Sequence, residues 1–144
     1  MKPVNVDISE IIPQRPPFVM IDRIVDFSEE KVTTELLIKP DNIFLDGTDF
    51  LPAGIVENIA QTCAARIGYI AWLKGLPIQI GLIGAVKTFN LVAQPHANDT
   101  LVTTITVIGE AFGMLLVDAE VNVNGKAMAT AEVKIALTDE KLNP

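Results

Sequence analysis

The chain is poor in the residues from which many sites are built: among its 144 residues there is one cysteine, one histidine, one tryptophan and one tyrosine. Cys63 alone cannot close an internal disulfide, and one cysteine with one histidine leaves little for a zinc site. A reducing cytoplasm is the expected home, with no metal and no other cofactor. Basic residues are also few, 11 Lys and Arg against 18 Asp and Glu for a formal charge of −7, and they form no cluster. A nucleic-acid footprint needs a basic face, so that class of partner is not expected. Long apolar runs are missing too. The longest stretch free of charge, Gly75 to Val86, has 12 residues, against roughly 18 for a membrane span. No apolar run precedes Asp7 and Glu10, so neither a membrane segment nor a secretory signal is expected. What is abundant is hydrophobicity, 49% of residues with a mean hydropathy of +0.38. Such content without a span suggests a single domain over 1–144 that hides apolar surface in a partner subunit as well as in its own core.

Along the chain, Asp7 to Ile12 has room for one or two helical turns before Pro13, Pro16 and Pro17 end them. Phe18 to Phe27 and Val32 to Ile38 read as strands around a polar turn at Ser28-Glu29-Glu30. A loop through Asp46-Gly47-Thr48-Asp49 leads to Pro52, placed where a helix tolerates proline, in its first turn. From Pro52 to Lys74 runs the only long helical pattern, closed by Gly75 and Pro77. At 100° per residue, Val56, Ile59, Ala60, Cys63, Ala64, Ile67, Ile70 and Ala71 share one face. Glu57, Asn58, Gln61, Thr62 and Tyr69 fall on the other.

The last third reads as strands: Ile78 to Leu91, Thr100 to Gly109, Met114 to Val123 and Ala127 to Leu137. In the final hairpin, a two-residue turn at Asn124-Gly125 sets Val123 opposite Lys126 and mixes apolar with charged rows. A three-residue loop with a glycine bulge instead pairs Val123 with Ala127 and Val121 with Ala129, so the three-residue loop is the expectation. The resulting architecture is α+β, one long helix over a curled antiparallel sheet of five or six strands.

Two stretches carry a family resemblance. Ile12-Pro-Gln-Arg-Pro-Pro-Phe-Val-Met-Ile-Asp-Arg-Ile24 and Leu51-Pro-Ala-Gly-Ile-Val-Glu-Asn-Ile-Ala-Gln61 resemble the hotdog-fold beta-hydroxyacyl-acyl carrier protein dehydratases. Those enzymes open on Leu-Pro-His-Arg-x-Pro-Phe and carry Glu-Ala-x-Ala-Gln in a central helix that begins Pro-Gly-Val. The run from Pro52 to Ala65, followed by Leu76-Pro-Ile-Gln-Ile-Gly-Leu-Ile-Gly84, looks closer to the dehydratase-like accessory proteins of aryl polyene and flexirubin-type pigment clusters. The resemblance implies a hotdog fold, with the long helix wrapped by the sheet. It also implies an acyl carrier protein or acyl-CoA thioester as substrate, and a homodimer or a heterodimer with another hotdog subunit.

In the family, a histidine of a Gly-His-Phe-Pro loop and the helix glutamate come from opposite subunits. The histidine takes the alpha proton, the glutamate helps the beta hydroxyl leave, and amides at the helix N-terminus hold the thioester oxygen. Carried over, Glu57 is the catalytic glutamate, and Gln61, Ala53, Gly54 and Ile55 bind substrate. The histidine has no counterpart, since Asp46-Gly-Thr-Asp-Phe-Leu-Pro52 is shorter and lacks imidazole, and Gln14 replaces the histidine of the opening motif. Asp46 or Asp49 is a poor replacement unless strongly desolvated. The leading reading is therefore half a catalytic pair, completed across an interface by a second hotdog subunit that brings the histidine. An acyl-thioester hydrolase using the same carboxylate, and a non-catalytic acyl-binding or scaffolding subunit, are the alternatives.

Several residues have plainer readings. Glu57 and Gln61 also suit a polar stripe facing water near the helix dipole. His96 lies in a turn-rich connection, which suits an exposed loop residue, and Cys63 suits a small buried hydrophobe. Tyr69 and Trp72 either pack under the sheet or flank an acyl channel. Asp22-Arg23 matches the family's pair or forms a strand-edge salt bridge. Arg15, Arg23, Arg66, Lys74 and Lys87 either gather to receive an acidic carrier protein or are scattered solubilising charges.

Overall fold

A computed structural model describes residues 4–142. After a 3-10 turn at Ile8–Glu10 come β1 (Arg23–Phe27), β2 (Lys31–Leu37) and two short strands, β3 (Leu45–Asp46) and β4 (Asp49–Phe50). Then follow α1 (Pro52–Lys74), β5 (Ile78–Leu91), β6 (Thr100–Ala111), β7 (Met114–Val123) and β8 (Lys126–Leu142). Six strands form one antiparallel sheet in the order β1-β2-β6-β7-β8-β5, and β3 pairs only with β4. The expected α+β architecture and the helix limits hold. Strand β1 begins later than the expected Phe18, and the pre-helical loop holds a small hairpin that apolar patterning does not signal.

The sheet has one buried face because its strands alternate. Leu115, Val117, Ala119, Val121 and Val123 of β7 are buried beside Ala129, Ala131, Val133 and Ile135 of β8. Ile55, Ile59, Cys63 and Ala65 of α1 close the core from above. On the outer face the hydroxyls of Thr33 and Thr104 meet at 2.8 Å across β2 and β6.

The last hairpin departs from the three-residue loop. Val123 stands opposite Lys126, and Asn124 and Gly125 take φ of 51° and 77°, the positive pair of a two-residue type I′ turn. The requirement behind the expectation is still met, because the register shifts between Val121 and Asn122 and Val121 faces Ala129 as expected. The extra residue is Met128, a bulge inside β8 rather than in the loop. Its carbonyl accepts from the N–H groups of Val92 and Ala93 at 2.8 and 3.1 Å, tying down the chain where β5 ends.

The N-terminal segment seals the far side of α1. Asp7 caps the 3-10 turn through Ser9, and those hydrogen bonds, the backbone one first, hold its carboxyl below the ordinary value. Ile11 and Ile12 are fully buried. Arg15 donates to the carbonyls of Ser9, Ile12 and Gln14 and locks the segment from outside. Gly68 allows the close approach, since a Cβ there would overlap the Ile11 carbonyl oxygen. Gly68→Ala is expected to cost about 1–3 kcal/mol by overpacking. Gly109→Ala, with nothing within 4 Å of the new carbon, should stay within about 0.5 kcal/mol of the parent. Urea denaturation of both variants measures the difference.

Candidate active site

The start of α1 is set by two loops. The N–H of Leu51 donates to Phe44 O at 2.9 Å and that of Phe50 to Pro95 O at 3.0 Å, while Gln94 Nε2 donates to Phe50 O at 2.7 Å. Gly54 is packed so closely that a Cβ would lie 2.6 Å from Phe50 and 2.7 Å from Phe44. No side chain caps the helix, and Leu51 O receives the N–H groups of both Gly54 and Ile55. Pro52 has no N–H to offer. Of the three residues expected to hold a thioester oxygen, Gly54 and Ile55 are therefore buried with their amides engaged. Ala53 is the exposed one, and its N–H has no protein acceptor among the described residues.

Two turns into the helix, the polar residues do not face water. Asn58, Gln61 and Thr62 are fully buried, which corrects the polar-outward projection. Burial of an amide is costly without partners, and each has them. Asn58 Nδ2 donates to Met20 O at 2.8 Å and its Oδ1 accepts from Thr103 Oγ1 at 2.5 Å. Thr62 Oγ1 reaches Asn58 O and Thr34 Oγ1, both at 2.8 Å. Gln61 Oε1 accepts the Met20 N–H at 2.6 Å, and its Nε2 donates to Phe18 O at 2.8 Å and to Glu57 Oε2 at 2.6 Å. These bonds explain why 18–20 is not strand: side chains of α1 take the Phe18 carbonyl and both backbone groups of Met20. They also use the whole donor capacity of the Gln61 amide, leaving no N–H for a substrate.

Glu57 is partly exposed, one helical turn before Gln61. Its Oε1 has no protein hydrogen bond among the described residues. Grooves of about 450 and 380 Å³ lie elsewhere, one across the outer face of the sheet and one between Pro16, Pro17 and the 36–42 segment; neither is lined by Glu57. The segment 46–52 holds no histidine. Asp46 and Asp49 face each other across the β3–β4 hairpin, both exposed to solvent. His96 is half exposed, as expected, and its Nε2 lies 3.3 Å from Asp49 Oδ1. Asp99 receives the His96 backbone N–H at 2.7 Å. Reading the sequence one connection at a time missed this juxtaposition of two loops, for which no local signal exists.

The remaining candidates separate. Arg23 pairs with Glu35 at 2.8 Å while Asp22 accepts the Leu37 N–H, so Asp22 and Arg23 serve different neighbours. Arg66 binds Glu29 O, Lys87 pairs with Glu132, and Lys74 stands in the last turn of α1. With Arg15 engaged at the N-terminal segment, the three arginines and Lys87 make separate local contacts rather than gathering at one site. Tyr69 meets Phe27 edge-on and stacks on the half-exposed Trp72 with ring centroids 5.8 Å apart. Among the described residues there is no metal-binding cluster, and no helix is long and apolar enough to cross a membrane.

Comparison with known proteins places this geometry among relatives. The ApeP-like family profile, described as ApeP dehydratase, matches residues 6–143. The 3-hydroxyacyl-acyl-carrier-protein dehydratase FabZ of Ruminiclostridium cellulolyticum is 24% identical over 93% of this chain and 96% of its own. The FabZ of Thermoanaerobacter pseudethanolicus is 28% identical over 94% of this chain and 98% of its own. Among solved structures, the dehydratase heterocomplex ApeI:P from Xenorhabdus doucetiae superposes with a TM-score of 0.87 at 12% identity, covering 95% of this chain and 94% of that one. The fold is the hotdog fold.

Cys63, on the buried face of α1, is no nucleophile, because burial pushes its thiol up to about 12. Native protein at mildly alkaline pH should leave Cys63 unlabelled by iodoacetamide, with full labelling in concentrated guanidinium. Mass spectrometry of the two reactions checks this.

Proposed function

Because the chain belongs to the ApeP-like dehydratase family, we propose that it is the glutamate-bearing subunit of a composite site that dehydrates 3-hydroxyacyl thioesters. The substrate would be carried on an acyl carrier protein or on coenzyme A, as in fatty-acid or polyene synthesis. The observation that carries this reading is a carboxylate held without an imidazole: Gln61 orients Glu57 on α1, whereas segment 46–52 has no histidine and His96 is turned to Asp49. Elimination of a beta hydroxyl needs a base for the alpha proton as well as an acid for the leaving oxygen. Here the acid is Glu57. The base, the family's missing histidine, comes from a second hotdog subunit.

The Ala53 N–H and the positive end of the α1 dipole are suited to polarise the thioester oxygen as charge builds on it. The alpha proton passes to the partner's base. The carbon–oxygen bond breaks with its electron pair going to the hydroxyl, which takes a proton from Glu57 and departs as water.

The structure offers such a partner an open edge. Among the described residues strand β5 is hydrogen-bonded only to β8, and Leu82, Val86, Leu91 and Val92 on and just beyond it are exposed. An unpaired strand with apolar side chains is a template for a further strand. In this reading the acyl chain is enclosed once a second subunit is in place. The lack of a gathered basic patch leaves carrier-protein docking to that subunit.

The chain alone should show no dehydration of a 3-hydroxyacyl-carrier-protein thioester, and its co-purified complex with a histidine-bearing hotdog subunit should show it. Glu57→Gln in this chain should lower the rate of the complex by about 100-fold or more. Full activity of the lone protein would overturn the composite site. Acyl-CoA hydrolysis by the lone protein, abolished in Glu57→Ala, would assign a thioesterase instead.

A further inference from the structure

We propose that Gln61 is a positioning residue which dictates the oxygen of Glu57 that carries the proton: Oε2 is held as an acceptor, and Oε1 is the oxygen that exchanges a proton with substrate. The proposal deepens the composite-site reading and rests on it for its catalytic consequence, but not for its geometry.

The argument begins with two backbone groups whose polarity cannot change. The Met20 N–H can only donate and the Phe18 carbonyl can only accept. The Gln61 amide lies between them, fully buried, with Oε1 2.6 Å from Met20 N and Nε2 2.8 Å from Phe18 O. Turning the amide over would set N–H against N–H at Met20 and oxygen against oxygen at Phe18. It would also aim an oxygen at the Glu57 carboxylate. The orientation of an amide is normally inferred from its network, and here that network permits one answer. The second hydrogen of Nε2 therefore points at Glu57 Oε2, 2.6 Å away.

A donor fixed in that direction requires an acceptor. A hydroxyl Oε2 is a weaker acceptor for the Gln61 N–H than a carbonyl Oε2, so the fixed donor favours protonated Glu57 with its proton on Oε1. That oxygen is free of protein hydrogen bonds among the described residues, on a partly exposed side chain. In the dehydration, Oε1–H gives its proton to the leaving hydroxyl, and the charge left on the carboxylate is already met at Oε2 by the Gln61 donor. The base on the second subunit holds the alpha proton. Both groups return to their starting states by exchange with solvent, so the cycle consumes no further reactant.

The same amide links Glu57 to the opening segment. Phe18, whose side chain is 60% exposed, and Met20 are held by the group that orients the carboxyl. A shift of that segment is thus felt at Glu57 through one side chain.

The test uses Gln61→Met, which keeps the length of the side chain and removes its hydrogen bonds. Gln61→Glu serves as a second variant that keeps an acceptor for Met20 N and removes both amide donors, offering a single O–H only when protonated. Thr62→Val is the control, because it breaks a buried hydrogen bond of the same helix without touching Glu57. The first readout needs no activity: the carboxyl carbon resonance of Glu57 in the 13C-glutamate-labelled chain, assigned by its loss in Glu57→Gln. It should move in both Gln61 variants and stay in place in Thr62→Val. The second is kinetic, in the complex with the histidine-bearing subunit, where kcat should fall by about 10- to 100-fold with KM within about twofold. A moved resonance without dehydration in any preparation would uphold the positioning role and refute the composite dehydratase. An unmoved resonance in a folded Gln61 variant, or equal loss of kcat in Thr62→Val, would overturn the proposal.

Discussion

The structure depends on the obligation to satisfy polar groups that the central helix buries. Asn58, Gln61 and Thr62 have no solvent access, and an unpaired buried amide costs about 1–3 kcal/mol. Their partners lie on three separate parts of the chain: Phe18 and Met20 before β1, Thr34 on β2 and Thr103 on β6. Only one rotation and one axial position of α1 meet all of these at once. Small residues around the polar ones, Ala64, Ala65 and Gly68, let the helix sit close to its neighbours without specifying where it sits. The hydrogen bonds supply that specification, and Glu57 inherits its position from it.

A single protomer leaves its helix well covered and its surface unevenly finished. The inner face of the sheet is filled by aliphatic side chains, whereas the edge at β5 runs 14 residues with one neighbour. Exposed Leu82, Val86, Leu91 and Val92 lie along this edge or just beyond its end. The high hydrophobic content thus divides between one packed core and exposed apolar side chains along this edge. The Met128 bulge adds to this arrangement, since its carbonyl anchors the backbone that follows β5 and holds the end of the edge strand in place.

Electrostatics in this protein are local. The arginines close loops and pair across strands, and the largely exposed Arg23 with the partly exposed Glu35 forms the kind of surface pair worth only about 0–1 kcal/mol. With a formal charge of −7, the protein has little to attract an acidic partner from a distance. In the proposed reading its recognition chemistry is concentrated at the start of α1, where, among the described residues, an amide and a carboxylate oxygen without protein partners lie within two helical turns.

Local chemistry was enough to read much of this from the residues. The limits of α1 follow from Pro52 at one end and Gly75, with φ of 65°, at the other, and the alternating strands follow from their period. The match around Glu57 and Gln61 carried the family with it. What local chemistry does not show is where polar side chains point when their partners are 40 or more residues away. Gln61 looked like a surface or substrate-facing group because its acceptors and donors, Phe18 and Met20, belong to a segment whose own pattern suggested strand. The need for the apolar rows to share a face argues against a two-residue turn at Asn124-Gly125, yet the fold keeps that turn and repairs the register at Met128. The sequence by itself determined the long helix, the six strands of the main sheet in their order along the chain, and the carboxylate on the central helix, because propensity and periodicity act between near neighbours. Tertiary structure alone decided that Gln61 faces inward and that His96 turns to Asp49, because both depend on groups brought together only when the sheet closes around the helix.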